Sequence, residues 1–169
     1  MAANGEIPGK GRPRREAPRL RKASPHKSSP RKPSLGRALV VEDDGLLAMM
    51  IAEALQDGGA SHVSVCPSIA SALAELDRLK PDILVLDVHL ADRDDGWTLA
   101  ELVMELSPQP PIIVFSTGAP ESIPARIAEL GTVLVKPFAP EDLVATVLES
   151  RKRGGLFSRL RAAIAPASE

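Results

Sequence analysis

Pro81-Asp82-Ile83-Leu84-Val85-Leu86-Asp87 is the stretch on which the fold turns. Its four consecutive apolar residues show no alternation of buried and exposed faces. That suits a strand covered on both sides, and such strands belong to parallel sheets flanked by helices. Pro81 marks the end of whatever precedes the strand, and a carboxylate, Asp87, closes the strand itself. Three other apolar runs end in the same manner, on residues able to handle a phosphoryl group. Ala38 to Val41 ends on Glu42-Asp43-Asp44, Ile112 to Phe115 on Ser116-Thr117, and Thr132 to Val135 on Lys136. In an open parallel sheet ligands bind beyond the carboxyl ends of the strands, so these four distant endings are expected to meet in one place.

Between the strands the periodicity becomes helical. Leu46, Leu47, Met50, Ile51, Ala54 and Leu55 recur on one face of a first helix that Gly58-Gly59 stops. His62 to Cys66 alternates polar with apolar, as a half-exposed edge strand does. Ser68 suits the cap of a second helix with Ile69, Ala72, Leu73 and Leu76 inward. Leu99, Leu102, Val103 and Leu106 predict a third helix after Gly96, and Ile123, Ile127 and Leu130 a short fourth one interrupted by Pro124. Pro140 fits the first turn of a fifth helix, with Glu141 and Asp142 near its positive end and Leu143, Val144, Val147 and Leu148 inward. The expectation is a (βα)5 α/β domain, a doubly wound five-stranded parallel sheet, over residues 37–150.

Charge is segregated along the 169 residues. Residues 1–37 hold 11 Lys/Arg against 2 Asp/Glu, residues 38–150 hold 5 against 19, and residues 151–169 hold 5 against 1, so an acidic body lies between two basic arms. Residues 1–36 carry six prolines, many serines and almost nothing large and apolar, and are expected to be disordered because little burial offsets the entropy of ordering. Ser24-Pro25-His26-Lys27 and Ser29-Pro30-Arg31-Lys32 resemble basic Ser-Pro repeats that follow nucleic-acid backbones, the alternative being a plain solvated tail. Residues 151–169 read as a basic amphipathic tail. Gly154-Gly155 is expected to break the fifth helix, and Leu156, Phe157, Leu160, Ala163 and Ile164 would line one face of a short further helix. The single cysteine, Cys66, can form no internal disulfide, which fits a reducing compartment. No run approaches the roughly 18 apolar residues of a membrane span, and the N-terminus has charge and proline where a signal peptide needs apolar residues. A cytoplasmic protein without a transmembrane segment is the expectation.

Taken in order and spacing, these endings resemble the receiver domain of two-component response regulators, over about residues 36–150. An acid pair, Asp43-Asp44, follows the first strand, and Asp87 ends the third strand 43 residues after Asp44. Thr117-Gly118 ends the fourth 30 residues after Asp87, and Lys136-Pro137-Phe138 ends the fifth. The resemblance implies the flavodoxin-like strand order 2-1-3-4-5. Phe115-Ser116-Thr117-Gly118-Ala119-Pro120 further resembles the Phe-Ala-Thr-Gly-x-Tyr subgroup of mostly single-domain receivers, with Pro120 in place of its Tyr.

A carboxylate attacks a phosphoryl group poorly because both are anionic, so a cation is needed to neutralise the approach. Mg²⁺ suits that task with oxygen ligands and few protein carboxylates. By resemblance, Asp44 and Asp87 would ligate Mg²⁺ directly, Asp43 would hold a metal-bound water, and the backbone carbonyl of His89 would complete the protein's share. Asp87 would be the phosphoacceptor and Lys136 would pair with a phosphoryl oxygen, aimed by a cis peptide before Pro137. Thr117 would hydrogen-bond another oxygen, with Ser116 as the alternative hydroxyl, and Gly118 would leave room for the reacting groups. The His89 ring is expected to tune hydrolysis rather than to ligate. The competing local reading makes Asp43 or Asp44 a cap of the first helix.

Three departures stand out. The stretch from Val88 to Gly96 is one residue longer than the commonest receiver loop and lacks its proline, which favours a more mobile loop. Val133 stands where many receivers carry an aromatic switch residue, and Pro120 removes the Tyr of the subgroup. The function expected is a stand-alone response regulator taking phosphate from a histidine kinase or phosphotransfer protein, non-enzymatic apart from its own phosphorylation and dephosphorylation. One alternative is a nucleic-acid or scaffold adaptor acting through residues 1–36 with an unphosphorylated receiver. The other is a haloacid-dehalogenase-like phosphatase, against which His89 stands where an acid–base aspartate would be needed, two residues after Asp87.

Overall fold

The computed structural model describes residues 34–90 and 96–164, with side chains described as far as residue 154. The disorder expected of the basic arm through residue 33, the mobility expected of residues 91–95 and the apolar face expected beyond residue 155 lie outside the described residues.

Five strands, β1 (Gly36–Val41), β2 (Ala60–Cys66), β3 (Ile83–Asp87), β4 (Ile112–Thr117) and β5 (Thr132–Val135), form one parallel sheet in the order β2-β1-β3-β4-β5. Helices α1 (Gly45–Asp57), α2 (Ile69–Leu79), α3 (Thr98–Leu106), α4 (Ala125–Ala128) and α5 (Pro140–Ile164) link and extend the strands. This is the doubly wound α/β architecture expected.

The sheet is covered on both sides because alternate residues of each inner strand feed two separate apolar layers. Leu39, Leu84, Leu86, Ile113 and Phe115 pack with Ile69 and Ala72 of α2, Leu99 and Val103 of α3 and Ile127 of α4. Ala38, Val40, Ile83, Val85 and Val114 pack with Ile51 and Leu55 of α1 and Leu143 and Val147 of α5. All five residues of β3 are buried, which is why its sequence shows no period of two. Each fully buried Leu, Ile, Val or Phe contributes about 1.5–3 kcal/mol relative to exposure, so these two layers dominate the stability of the domain.

Several expectations are corrected in detail. In α1 the inward residues are Ala48, Ile51 and Leu55, while Leu46 is 72% and Met50 43% exposed, so the buried stripe is rotated from the one expected. Leu73 on α2 and Leu102 and Leu106 on α3 also lie exposed, since the smaller Ala72 and Ala100 bring those helices close to the sheet instead. Helix α5 runs unbroken through Gly154-Gly155 to Ile164. A glycine in a helix interior costs only about 1 kcal/mol relative to alanine, a penalty and not a stop. Leu35 and Gly36, assigned to the arm on composition, belong to the folded domain. Leu35 is buried in the second layer, Gly36 opens β1, and the Arg151 guanidinium of α5 donates to the Leu35 carbonyl at 2.9 Å and to that of Ser34.

The fourth helix is as short as Pro124 implies. A 3₁₀ turn at Pro120–Ser122 precedes it, and α4 keeps a single buried residue, Ile127.

Candidate functional site

The apolar layer beneath α1 and α5 ends in a polar row at the carboxyl edge of the sheet. Glu42 follows Val40 in alternation, Asp87 follows Val85, Ser116 follows Val114 and Lys136 follows Leu134. Strand pairing sets Asp87 beside Ser116. Each of these residues therefore inherits an inward direction from the strand that carries it. Glu42 is only 2% and Asp87 5% exposed, and Ser116 and Thr117 are fully buried.

Lys136 closes the row. Its Nζ donates to Asp87 Oδ2 at 2.8 Å and to Glu42 Oε2 at 2.9 Å, and its backbone N–H donates to the Thr117 carbonyl at 2.8 Å. The peptide bond between Lys136 and Pro137 is cis. The other Asp87 oxygen, Oδ1, accepts the His89 backbone N–H at 3.0 Å, so both oxygens are held. A Cβ at Gly96 would stand 2.5 Å from the Asp87 carbonyl oxygen, which is why only glycine fits where the chain returns past the site. A Cβ at Gly118 would meet nothing within 4 Å among the described residues.

Burial pushes the Glu42 carboxyl above its ordinary value, and the neighbouring Asp87 charge adds to this while Lys136 opposes it. Burial works against the Lys136 ammonium, but its bonds to Asp87 and Glu42 outweigh that and hold its pKa above the usual lysine value.

Carboxylate oxygens of Glu42, Asp43 and Asp87 lie within 4.8 Å of one another. The acids that converge are thus residues 42, 43 and 87, and Asp44 is not among them. Its Oδ1 accepts the backbone N–H groups of Leu46 at 2.9 Å and Leu47 at 3.0 Å, which makes it the N-cap of α1. The acid pair beside Asp87 is therefore one residue earlier than spacing alone had placed it. Glu42 is named among the strand endings but not in the expected metal set, although a signal for it existed. It is the next inward position after Ala38 and Val40, and a strand's alternation extends to the residue that ends it. Three carboxylate oxygens within 4.8 Å of one another, among the described residues, are hard donors that fit a divalent cation such as Mg²⁺.

Thr117 accepts the Ala119 backbone N–H at 3.1 Å and lies 3.4 Å from His89 Nδ1. Ser116 Oγ is buried and has no hydrogen-bond partner among the described residues. It lies on the Asp87 face of β4, and Thr117 on the opposite one.

Comparison with known proteins agrees with this arrangement. The response regulator receiver domain model matches residues 38–148. The transcriptional regulatory protein PdtaR of Mycobacterium tuberculosis is 27% identical over 135 residues, covering 79% of this chain and 65% of that protein. A protein-glutamate methylesterase/protein-glutamine glutaminase of Archaeoglobus fulgidus is 33% identical over 92 residues, 53% of this chain and 26% of the enzyme. The chain thus spans between about a quarter and two thirds of the length of these relatives. The response regulator receiver domain (CheY-like) of Methylobacillus flagellatus superposes with a TM-score of 0.62 at 24% identity, covering 69% of this chain and 99% of that one, a likeness of fold. With the family model covering well over half of its length and the strand order and acidic edge in place, this chain belongs to the response regulator receiver domain family.

Proposed function

We propose that the domain is a phosphoacceptor switch in which Asp87 receives a phosphoryl group from a phosphohistidine of a histidine kinase or phosphotransfer protein. The phosphorus–nitrogen bond of the donor breaks as a phosphorus–oxygen bond to an Asp87 carboxylate oxygen forms. The observation that carries this reading is the placement of Asp87, buried between the ammonium of Lys136 and the carboxylates of Glu42 and Asp43, in a chain of this family.

Glu42, Asp43 and Asp87, with the backbone carbonyl of His89, would hold Mg²⁺, which supplies charge neutralisation for the incoming phosphoryl oxygens. Lys136 would exchange its bond to Asp87 for one to a phosphoryl oxygen, and the Thr117 hydroxyl would take another. Ser116, whose buried hydroxyl lies on the Asp87 face of β4, is the alternative hydroxyl for that oxygen. The added charge of about −1.5 to −2 then reorganises the loops around the site, by the same rules that apply to other phosphorylated residues. Among the described residues no helix is long and apolar enough to cross a membrane, and a cytoplasmic location is part of the proposal.

The test is incubation with acetyl phosphate and Mg²⁺ followed by intact mass measurement. One phosphoryl group is expected on the wild type, none without Mg²⁺ and none on Asp87→Asn. Undiminished labelling of Asp87→Asn would overturn the assignment.

A further inference from the structure

A groove of about 770 Å³ opens at the amino edge of the sheet, opposite the edge that carries Asp87, between the ends of α2 and α3 and the shaft of α5. Leu102 and Leu106 of α3 stand 37% and 70% exposed beside it, and the exposed Pro108 and Pro110 continue that apolar shoulder. Cations surround the shoulder. Arg37, Lys80 and Arg151 line the groove against two carboxylates, Asp77 and Asp82, and Lys152 and Arg153 follow, exposed, on α5. Asp82 is already engaged by Arg37, at 3.6 Å. The Arg151 guanidinium donates to the neutral carbonyls of Ser34 and Leu35, so no carboxylate offsets its charge there. Lys80 is the C-cap of α2 with φ 47° and ψ 68°, the left-handed conformation that favours glycine. Its exposed ammonium meets no hydrogen-bonding or ionic partner among the described residues.

We propose that this edge is a docking surface for an anionic phospholipid membrane. Lysine is held at residue 80 in a backbone conformation better suited to glycine, and its side chain gives the fold no polar contact in return. Strain kept at such a place points to a function outside the fold. The partner must be anionic, since the cations that line and follow the groove outnumber its acids. A nucleic-acid backbone would match those cations and leave Leu102, Leu106 and the two prolines idle. A bilayer interface uses both, because basic side chains meet lipid phosphates while an apolar shoulder enters the headgroup layer. Residues 1–33, with ten Lys/Arg against two Asp/Glu, join the fold at this edge through Ser34, whose carbonyl Arg151 holds. Asp87 lies at the other edge of the sheet, so a docked domain keeps its phosphoacceptor open to a partner. The proposal stands apart from the phosphoacceptor reading and does not require it.

The test is co-sedimentation of the full chain with vesicles of phosphatidylglycerol and phosphatidylcholine in equal parts, with phosphatidylcholine vesicles as the neutral comparison. The wild type is expected on the anionic vesicles alone and should leave them as salt is raised. Lys80→Gly should weaken binding about fivefold, the effect of one cation near such a surface. Its thermal midpoint should stay the same or rise, because glycine relieves the left-handed cap. Leu106→Ser, which alters no charge, should weaken binding about tenfold through the lost apolar contact. Equal binding to neutral vesicles, no binding to either kind, or anionic binding that either variant retains in full would overturn the proposal. So would transfer of the protein from the vesicles to added duplex DNA, with Leu106→Ser binding that DNA as the wild type does, since this edge would then be a nucleic-acid surface.

Discussion

Lys136 and Glu42 are 94 residues apart in the chain and follow β5 and β1, which are separated in the sheet by β3 and β4, yet Nζ of one stands 2.9 Å from Oε2 of the other. The bond crosses above β3 and β4, and Asp87 shares the same ammonium. One cation thus holds two buried carboxylates that would otherwise repel each other.

Removing that cation has two opposite effects. Lys136→Ala is expected to lower stability in the absence of metal by about 1–3 kcal/mol, below the full cost of breaking a buried pair because the lysine is partly exposed. It is also expected to strengthen Mg²⁺ binding, since the ammonium no longer competes for Asp87 and Glu42. Urea unfolding with and without Mg²⁺ measures both, and a variant weaker in each respect would contradict this account.

Asp43 and Asp44 are adjacent acids with separable duties. Asp44→Ala should cost about 0.5–2 kcal/mol through loss of the α1 cap and retain Mg²⁺-dependent labelling. Asp43→Asn should leave the α1 cap intact and weaken Mg²⁺ binding severely. Thermal unfolding paired with acetyl phosphate labelling separates the two, and loss of labelling in Asp44→Ala alone would restore the later register of the acid pair.

Glu42 introduces a pH dependence whose sign follows from its burial. Its pKa in the folded state is raised above the ordinary 4.5, so between these values the folded protein binds more protons than the unfolded one. The contribution of Glu42 to stability is therefore complete below the unfolded value and declines as pH rises through the window up to the folded one. Burial does most to set the upper limit of that window, with Lys136 lowering it and the Asp87 charge raising it. Compared with Glu42→Gln, the metal-free wild type should lose urea stability as pH is raised through this range. Mg²⁺ affinity should move the other way, increasing as Glu42 ionises.

Much of this arrangement was legible from residue order. Ile83 to Leu86 declared a strand buried on both faces, and the four polar endings met where an open parallel sheet requires. The acid pair slipped by one residue because counting along the chain ignores parity, and parity is what turns Glu42 inward and leaves Asp44 to cap α1. The stripe of α1 was misassigned for a related reason. Helical spacing alone does not say which of two overlapping apolar faces meets the sheet, and Ala48, small enough for close approach, displaced Leu46 and Met50. The link between His89 and Ser122 was not legible at all, because it depends on the geometry of two turns 33 residues apart.

The passage from Asp87 to Gly96 leaves and returns at nearly the same point. Val88 donates its N–H to the Ser116 carbonyl at 3.2 Å, and Gly96 donates to the Val88 carbonyl at 3.3 Å while pressing on the Asp87 backbone. Asp87 is thus held by backbone contacts on both sides, from Val88 to Ser116 and from Gly96 to Val88. A side chain at Gly96 would therefore displace the Asp87 backbone before it met any side chain of the site.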